Sequence, residues 1–316
     1  PELPKNCSTI LRSRKPIWEL ETMEVFIAQV INGLSLGSIY VLLVTGFNLL
    51  LLVAMIIHFS YPQVVVFSMY ISWAVLNAAG NNLILGILAG IAASVVFNVA
   101  TAPLFQHVMK KRKGVDINAT MVISLGLGMI ITEVLSQGFN RGFPVSFPKE
   151  LVGNEGLIRF GLINVSRGQI LSLAAGIVLV SILFWLLYKT RAGRAFRAIA
   201  EDPEGARLVG IPILRTGLAS YALTGLLGGL TAVLLSSLIG SASPSMGEQV
   251  AHKVLAVSII AGLGNLKGGL IVGLSLGILE ALIQGYVSGS WSNAIAFVVM
   301  LVVILIRPRG LFGTKL

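Results

Sequence analysis

Arg191-Ala-Gly-Arg194-Ala-Phe-Arg197-Ala-Ile-Ala-Glu201-Asp202-Pro203-Glu204-Gly-Ala206-Arg207-Leu208-Val-Gly210-Ile211 is the densest run of charge in this chain, and both of its flanks are apolar for the length of a membrane helix. The contrast decides the fold. The 316 residues are 55% apolar and 11% charged, with a mean hydropathy of +0.89, whereas an ordinary soluble domain is roughly 25% charged. A spanning helix takes about 20 apolar residues, and the sequence offers such stretches repeatedly, separated by short polar breaks. The chain therefore reads as an all-α polytopic membrane protein, a bundle of about eight to ten transmembrane helices, some broken or short. Its lengths leave no room for a soluble catalytic domain.

Orientation follows from the cations. Lys110-Lys111-Arg112-Lys113, the stretch from Lys189 to Arg215, and Arg307-Pro308-Arg309 all belong on the cytoplasmic side. They carry most of the +10 net charge. Sitting at helix ends without interleaved aromatic residues, they exclude nucleic acid as a partner. Counting outward from these anchors puts the segment 138–168 outside and the loop 189–213 inside. Residues 62–79 and 83–106 read as two spans, and Val25 to Ile57 as either one tilted helix or two short ones. Segment 249–263, opening Gln249-Val-Ala-His252-Lys253, is short for a span and reads as a broken helix beside a cavity. Residues 1–22, polar and proline-bearing, read as a tail, and 23–316 as one transmembrane domain. The lone Cys7 lies in that tail and excludes an internal disulfide.

Glycine, 35 residues in all, recurs inside the apolar segments, where small side chains let helices approach closely in lipid. Gly33-Leu-Ser-Leu-Gly37 returns as Gly273-Leu-Ser-Leu-Gly277, either an internal duplication or a coincidence of a glycine- and leucine-rich chain. In the charged loop, Asp202, Pro203 and Glu204 form an N-cap, a first-turn proline and an acidic first turn, and Gly210 suits the far end. They predict a helix from Pro203 to Val209. Upstream, Arg194 and Arg197 share a face three residues apart, with Phe196 and Ile199 on another, as a continuation of the preceding helix. The loop itself reads either as a solvated positive-inside segment or as a docking helix for a soluble partner.

The pattern Gly193-Arg194-Ala-Phe-Arg197-Ala-Ile-Ala-Glu201-Asp202, followed by Ala206-Arg-Leu208-Val-Gly210-Ile211, resembles the cytoplasmic coupling loop of permeases in the Liv-type branched-chain amino-acid ABC importer family. The resemblance extends through Asn32-Gly33, Leu36-Gly37-Ser38-Ile-Tyr40, Ala261-Gly262-Leu-Gly264-Asn265-Leu-Lys-Gly268, Gly277-Ile-Leu-Glu280-Ala281-Leu282 and the terminal Arg307-Pro308-Arg309-Gly310-Leu311-Phe312-Gly313. It implies a multi-pass subunit of a bacterial-type cytoplasmic (inner) membrane that is not itself an enzyme. Its implied partners are ABC ATPase subunits, a second permease subunit (homologous or identical) and a periplasmic or extracellular substrate-binding protein. The ATPase-coupling residues it implies are Arg194, Arg197, Glu201, Asp202, Pro203, Glu204, Ala206, Leu208 and Gly210. The sequence has no G-x-x-x-x-G-K-[ST] phosphate loop, so no cofactor is expected here, and ATP with Mg belongs to the partner ATPases.

These permeases usually carry Asn-Phe-Ala-His-Gly-Glu or similar after the first span, where this chain has His58-Phe59-Ser60-Tyr61-Pro62-Gln63. That departure leaves the solute open: a branched-chain or other amino acid, or a related small polar solute such as urea or an amide. His58, Ser60, Tyr61 and Gln63 form either a polar helix break on the translocation path or an interfacial helix end. Glu133 and Glu280 lie in apolar runs where an ionised group is costly and must face protein or water. Each is weighed as a substrate contact, as a packing element or, in the rival reading of an ion-coupled secondary transporter, as an ion site. His252 and Lys253 are weighed as carboxylate acceptors or as helix-end anchors. His58, Ser60, Tyr61, Gln63, Glu133, His252 and Glu280 are the candidates for the translocation path.

Overall fold

A computed structural model describes residues 17–111, 117–152, 157–160, 163–287 and 291–313 of the chain. The bundle is built around α1 (Ile17–Ala54), one continuous helix of 38 residues, which settles the choice between one long span and two short ones. It begins at Ile17, so the end of the expected tail belongs to the helix, while residues 1–16, Cys7 among them, lie outside the described residues. Without a charge between Glu24 and His58, α1 can be buried on all sides, and from Ile39 to Leu50 the chain is closed off from the surface.

Around it run α2 (Tyr61–Ala78), α3 (Leu83–Lys111), α4 (Ile117–Gly138), α6 (Arg167–Lys189), α9 (Ile213–Ile239), α10 (Met246–Ala261), α11 (Leu266–Tyr286) and α12 (Trp291–Ile306). Between α4 and α6 lie a 3-10 turn (Asn140–Gly142), strand β1 (Val145–Ser146), the single turn α5 (Lys149–Val152) and the hairpin β2 (Leu157–Phe160) with β3 (Ile163–Ser166). Two short helices, α7 (Arg191–Glu201) and α8 (Pro203–Leu208), join α6 to α9. Among the described residues, six helices are long and apolar enough to cross a membrane: α1, α3, α4, α6, α9 and α11. The remainder of the expected spans are shorter: α2, α10 and α12 have 18, 16 and 16 residues.

The two Gly-Leu-Ser-Leu-Gly pentapeptides pack against each other. A Cβ on Gly33 would lie 2.6 Å from Ile278 Cα, one on Gly37 would lie 2.8 Å from Leu274 Cα, and Gly277 abuts the Gly37 backbone. The contacts run in opposite order along the two helices, so α1 and α11 are antiparallel and present the same small-residue face to one another. The recurrence is thus a self-complementary packing surface. A second seam of this kind sets Gly225 and Gly229 of α9 on Val95 and Ile91 of α3.

The expected external segment is pinned at one end of the bundle. Strand β1 pairs antiparallel with β4 (Ser241–Ala242), directly after α9, and the Phe147 N–H donates to the Gly240 carbonyl at 3.0 Å. At the opposite end a cleft of about 620 Å³ is lined by Leu52, Tyr188, Arg197, Lys267 and Arg309. The ends of α1 and α6, the α10–α11 turn and the C-terminal basic cluster therefore share one end of the molecule, as the charge pattern requires. Lys110 and Lys111 close α3, while Arg112 and Lys113 lie outside the described residues. The tail folds back here: Leu311 N–H donates to Ile260 at 2.7 Å, and Asn265 Nδ2 donates to Phe312 at 2.6 Å. Gly262, at φ +92, makes that turn possible because a Cβ would run into Gly313 and Arg309.

Candidate functional site

The chemistry of the chain is divided among separate stations. Toward the end carrying β1 and β4, Lys253 of α10 forms an ion pair with Glu280 of α11. Tyr40 of α1 ties both together: its hydroxyl donates to Glu280 Oε2 at 2.6 Å and accepts from Lys253 Nζ at 3.0 Å, and Gln284 Nε2 donates to Glu280 Oε1 at 3.2 Å. An unpaired charge among apolar helices is costly, so each ion needs this opposite partner and these extra hydrogen bonds. The pair is not sealed. It lines a cavity of about 370 Å³ whose polar wall includes Asn32, Gln169 and Gln249, and whose aliphatic wall includes Leu36, Leu235 and Val250. Lys253 retains 16% of its side-chain surface, against 4% for Glu280. His252, the residue before Lys253 in the chain, is exposed, with its ring 5.4 Å from that of Phe297, and it lines a smaller cavity with Gln249 and Lys253.

The second station is the break between α1 and α2. Met55 takes a left-handed φ of +53 there, a strained conformation for a long side chain. The freed backbone is held by Ser124 of α4, whose hydroxyl accepts the Phe59 N–H at 3.1 Å and lies 3.0 Å from the Ile57 carbonyl. His58 is fully buried, its Nδ1 3.1 Å from Ser60 Oγ and its ring 5.1 Å from that of Phe105. His58 Nε2, the Tyr61 hydroxyl and Gln63 Oε1 are buried without a hydrogen-bond partner among the described residues. Gln63 is wedged between Gly128 of α4 and Gly247 of α10. The four residues expected at a polar break do lie together at one.

The third station is the α7–α8 elbow at the basic end. Thr190 is extended, φ −89 and ψ 165, and its hydroxyl accepts the Gly193 N–H at 3.2 Å. This cap corrects the expectation that Arg194 and Arg197 continue the preceding helix: α7 is a separate, amphipathic helix. Phe196 and Ile199 are buried while Arg194 is exposed. Arg197 turns back toward the bundle, donating to the Leu187 carbonyl and sitting 5.1 Å from the centre of the Tyr188 ring, which Lys267 approaches to 5.3 Å. Asp202 ends α7 and caps α8, its Oδ1 accepting from Glu204 N–H at 3.0 Å. Pro203 fills the first turn, and Gly210, at φ +85, closes the element. Glu201, Asp202 and Glu204 face solvent, Ala206 is buried against the bundle, and Leu208 and Val209 stand 89% and 77% exposed.

The elbow touches the break. A largely apolar cleft of about 280 Å³ is lined by Met55 and Ile56 from the break, Ile199 and Pro203 from α7 and α8, and Tyr221 from α9. By contrast, Glu133 stands on the exposed face of α4, accepting from Gln137 Nε2 at 2.8 Å. The seven translocation-path candidates therefore do not line one cavity: Glu280 and His252 border neighbouring cavities, the His58–Gln63 group forms the break, and Glu133 lies apart. Missing from that group are Tyr40 and the pairing of Lys253 with Glu280. The signal for it was a cation and an anion placed in neighbouring apolar segments.

The family model described as "Branched-chain amino acid transport system / permease component" matches residues 29–304. The chain is similar to the high-affinity branched-chain amino acid transport system permease protein BraD of Pseudomonas aeruginosa, 25% identical over 91% of this chain and 96% of that protein. It is similar to the corresponding LivH protein of Escherichia coli at the same identity and coverage. A shorter likeness, 32% identical over 48% of this chain and 43% of the relative, links it to the ribose import permease protein RbsC of Bacillus subtilis.

Proposed function

We propose a function from one premise: the chain belongs to the family of branched-chain amino acid transport system permease components. It is the permease subunit of an ATP-binding-cassette importer of the inner membrane, taking up branched-chain or other amino acids. It works beside a second permease subunit, with ATPase subunits on the basic side and a substrate-binding protein on the other.

The observation that carries the coupling part is the exposed Leu208–Val209 tip of a doubly capped elbow. Two large aliphatic side chains held in water at the basic end form a contact surface rather than a solvated loop, and the acidic and basic residues around them form its polar rim. The partner's movement reaches the membrane through Pro203 and Ile199, which share a cleft with the strained Met55. A push on the elbow thus acts on the broken backbone segment between α1 and α2, where His58 Nε2, the Tyr61 hydroxyl and Gln63 Oε1 are buried without partners among the described residues.

Gentle affinity purification from the native membrane tests this reading. ATPase subunits recovered in stoichiometric amount support it. A chain that purifies alone and still transports an amino acid down a proton gradient contradicts it. Replacing Asp202, or placing a charge at Ala206, is expected to separate ATP hydrolysis from uptake.

A further inference from the structure

We propose that the Lys253–Glu280 ion pair is an exchangeable receptor for the charged end of a zwitterionic amino acid, and that the cavity beside it holds the side chain. The proposal rests on the importer reading for its role in transport, but it stands on three observations of its own. The pair borders open space, a cavity of about 370 Å³, with Lys253 partly uncovered toward it. It joins α10 to α11 and is bridged by Tyr40 from α1, so three helices meet at one set of exchangeable contacts. The rest of the wall is of two kinds, amides from Asn32 and Gln249 and aliphatic side chains from Leu235 and Leu238, which match a polar head and a branched hydrocarbon tail.

The selectivity follows from charge balance. A ligand that parts Lys253 from Glu280 must present a carboxylate to the first and an ammonium to the second, or it leaves a buried charge uncompensated. A zwitterion replaces one ion pair by two. An amine or a carboxylic acid of the same shape satisfies only one side. Tyr40, which already donates to Glu280 and accepts from Lys253, can stay with either partner while the other is engaged. A pair serving only as a staple between α10 and α11 would show no such preference.

The complete transporter in detergent, without its binding protein, is heated in the presence of L-leucine, isopentylamine or 4-methylpentanoate at equal millimolar concentration. Leucine is expected to raise the melting temperature, and its two singly charged analogues are expected to leave it unchanged. The paired variant Lys253→Met/Glu280→Met removes both charges together, so neither is left alone. It is expected to elute and melt like the wild type, to lose the leucine-dependent shift, and to lower ATP-driven uptake in liposomes by about tenfold or more. Equal stabilisation by either analogue overturns the proposal, as does wild-type uptake by the paired variant. If the paired variant does not fold, the analogue series on the wild type decides by itself. Wild-type liposomes that take up no amino acid would refute the importer reading, while the leucine shift would still decide whether the site binds a zwitterion.

Discussion

The cavity beside Lys253 and Glu280 and the α7–α8 elbow each hold side chains that their surroundings disfavour. Among apolar helices sit Lys253 and Glu280, charged and nearly enclosed. Exposed at the basic end stand Leu208 and Val209, apolar and bare. A buried charge and an exposed aliphatic side chain both cost free energy where they are, and the fold supports them in different ways. The first is offset locally, by an opposite charge and the Tyr40 hydroxyl. The second is left uncovered among the described residues, which is the surface that the proposed function gives to a partner. The difference marks one region that satisfies itself and one that, in the proposed function, is satisfied by a partner.

Four substitutions probe that difference. The largest effect on stability is expected from Lys253→Met alone, which strands Glu280 at 4% exposure and costs about 3 kcal/mol. Adding Glu280→Met should recover most of it, measured by thermal unfolding in detergent. An equal loss in the single and paired variants would show that packing rather than charge dominates at this position. Next comes Gly37→Val, which forces a side chain into the Leu274 backbone of α11 and costs about 1–3 kcal/mol by overpacking. A wild-type melting temperature would mean that the α1–α11 seam can part.

Smaller still is Asp202→Ala, which removes the cap on the Glu204 N–H at about 1 kcal/mol; protease sensitivity confined to the elbow would register it. The smallest expected change is that of Leu208→Glu, within about 0.5 kcal/mol because Leu208 touches little of its own chain. If the melting temperature of Leu208→Glu falls sharply, the tip is a packing element and the contrast between the two regions dissolves.

The membrane class, the Asp202 cap of the elbow and the polarity of the bundle were legible in the sequence because each depends on residues close together in the chain. Asp202-Pro203-Glu204 announces a helix start wherever it occurs, and the expected Pro203 to Val209 helix is found at Pro203–Leu208. The joint at Thr190 was less legible: the apolar pattern of α6 runs into the amphipathic pattern of α7, and only the backbone at Thr190 shows where one stops. The Gly-Leu-Ser-Leu-Gly recurrence was visible, yet its meaning required knowing that residues 33–37 and 273–277 face each other. Lys253 and Glu280 were visible singly in the same way. Periodicity places each on a helix without revealing which helices are neighbours or that Tyr40, 213 residues earlier than Lys253, completes the set. Glu133 illustrates the converse: a carboxylate in an apolar run attracts attention, and the structure leaves it on an exposed face beside Gln137.

The most direct test of the account is the coupling of ATP hydrolysis to uptake in liposomes that carry the complete transporter, comparing the wild type with Leu208→Glu. The account predicts ATP-dependent amino acid uptake by the wild type, and uptake near background by the variant, with the melting temperature and the leucine-dependent shift of the permease unchanged. Uptake by the variant at the wild-type rate would contradict it, because the exposed tip at the basic end would then carry no part of the drive.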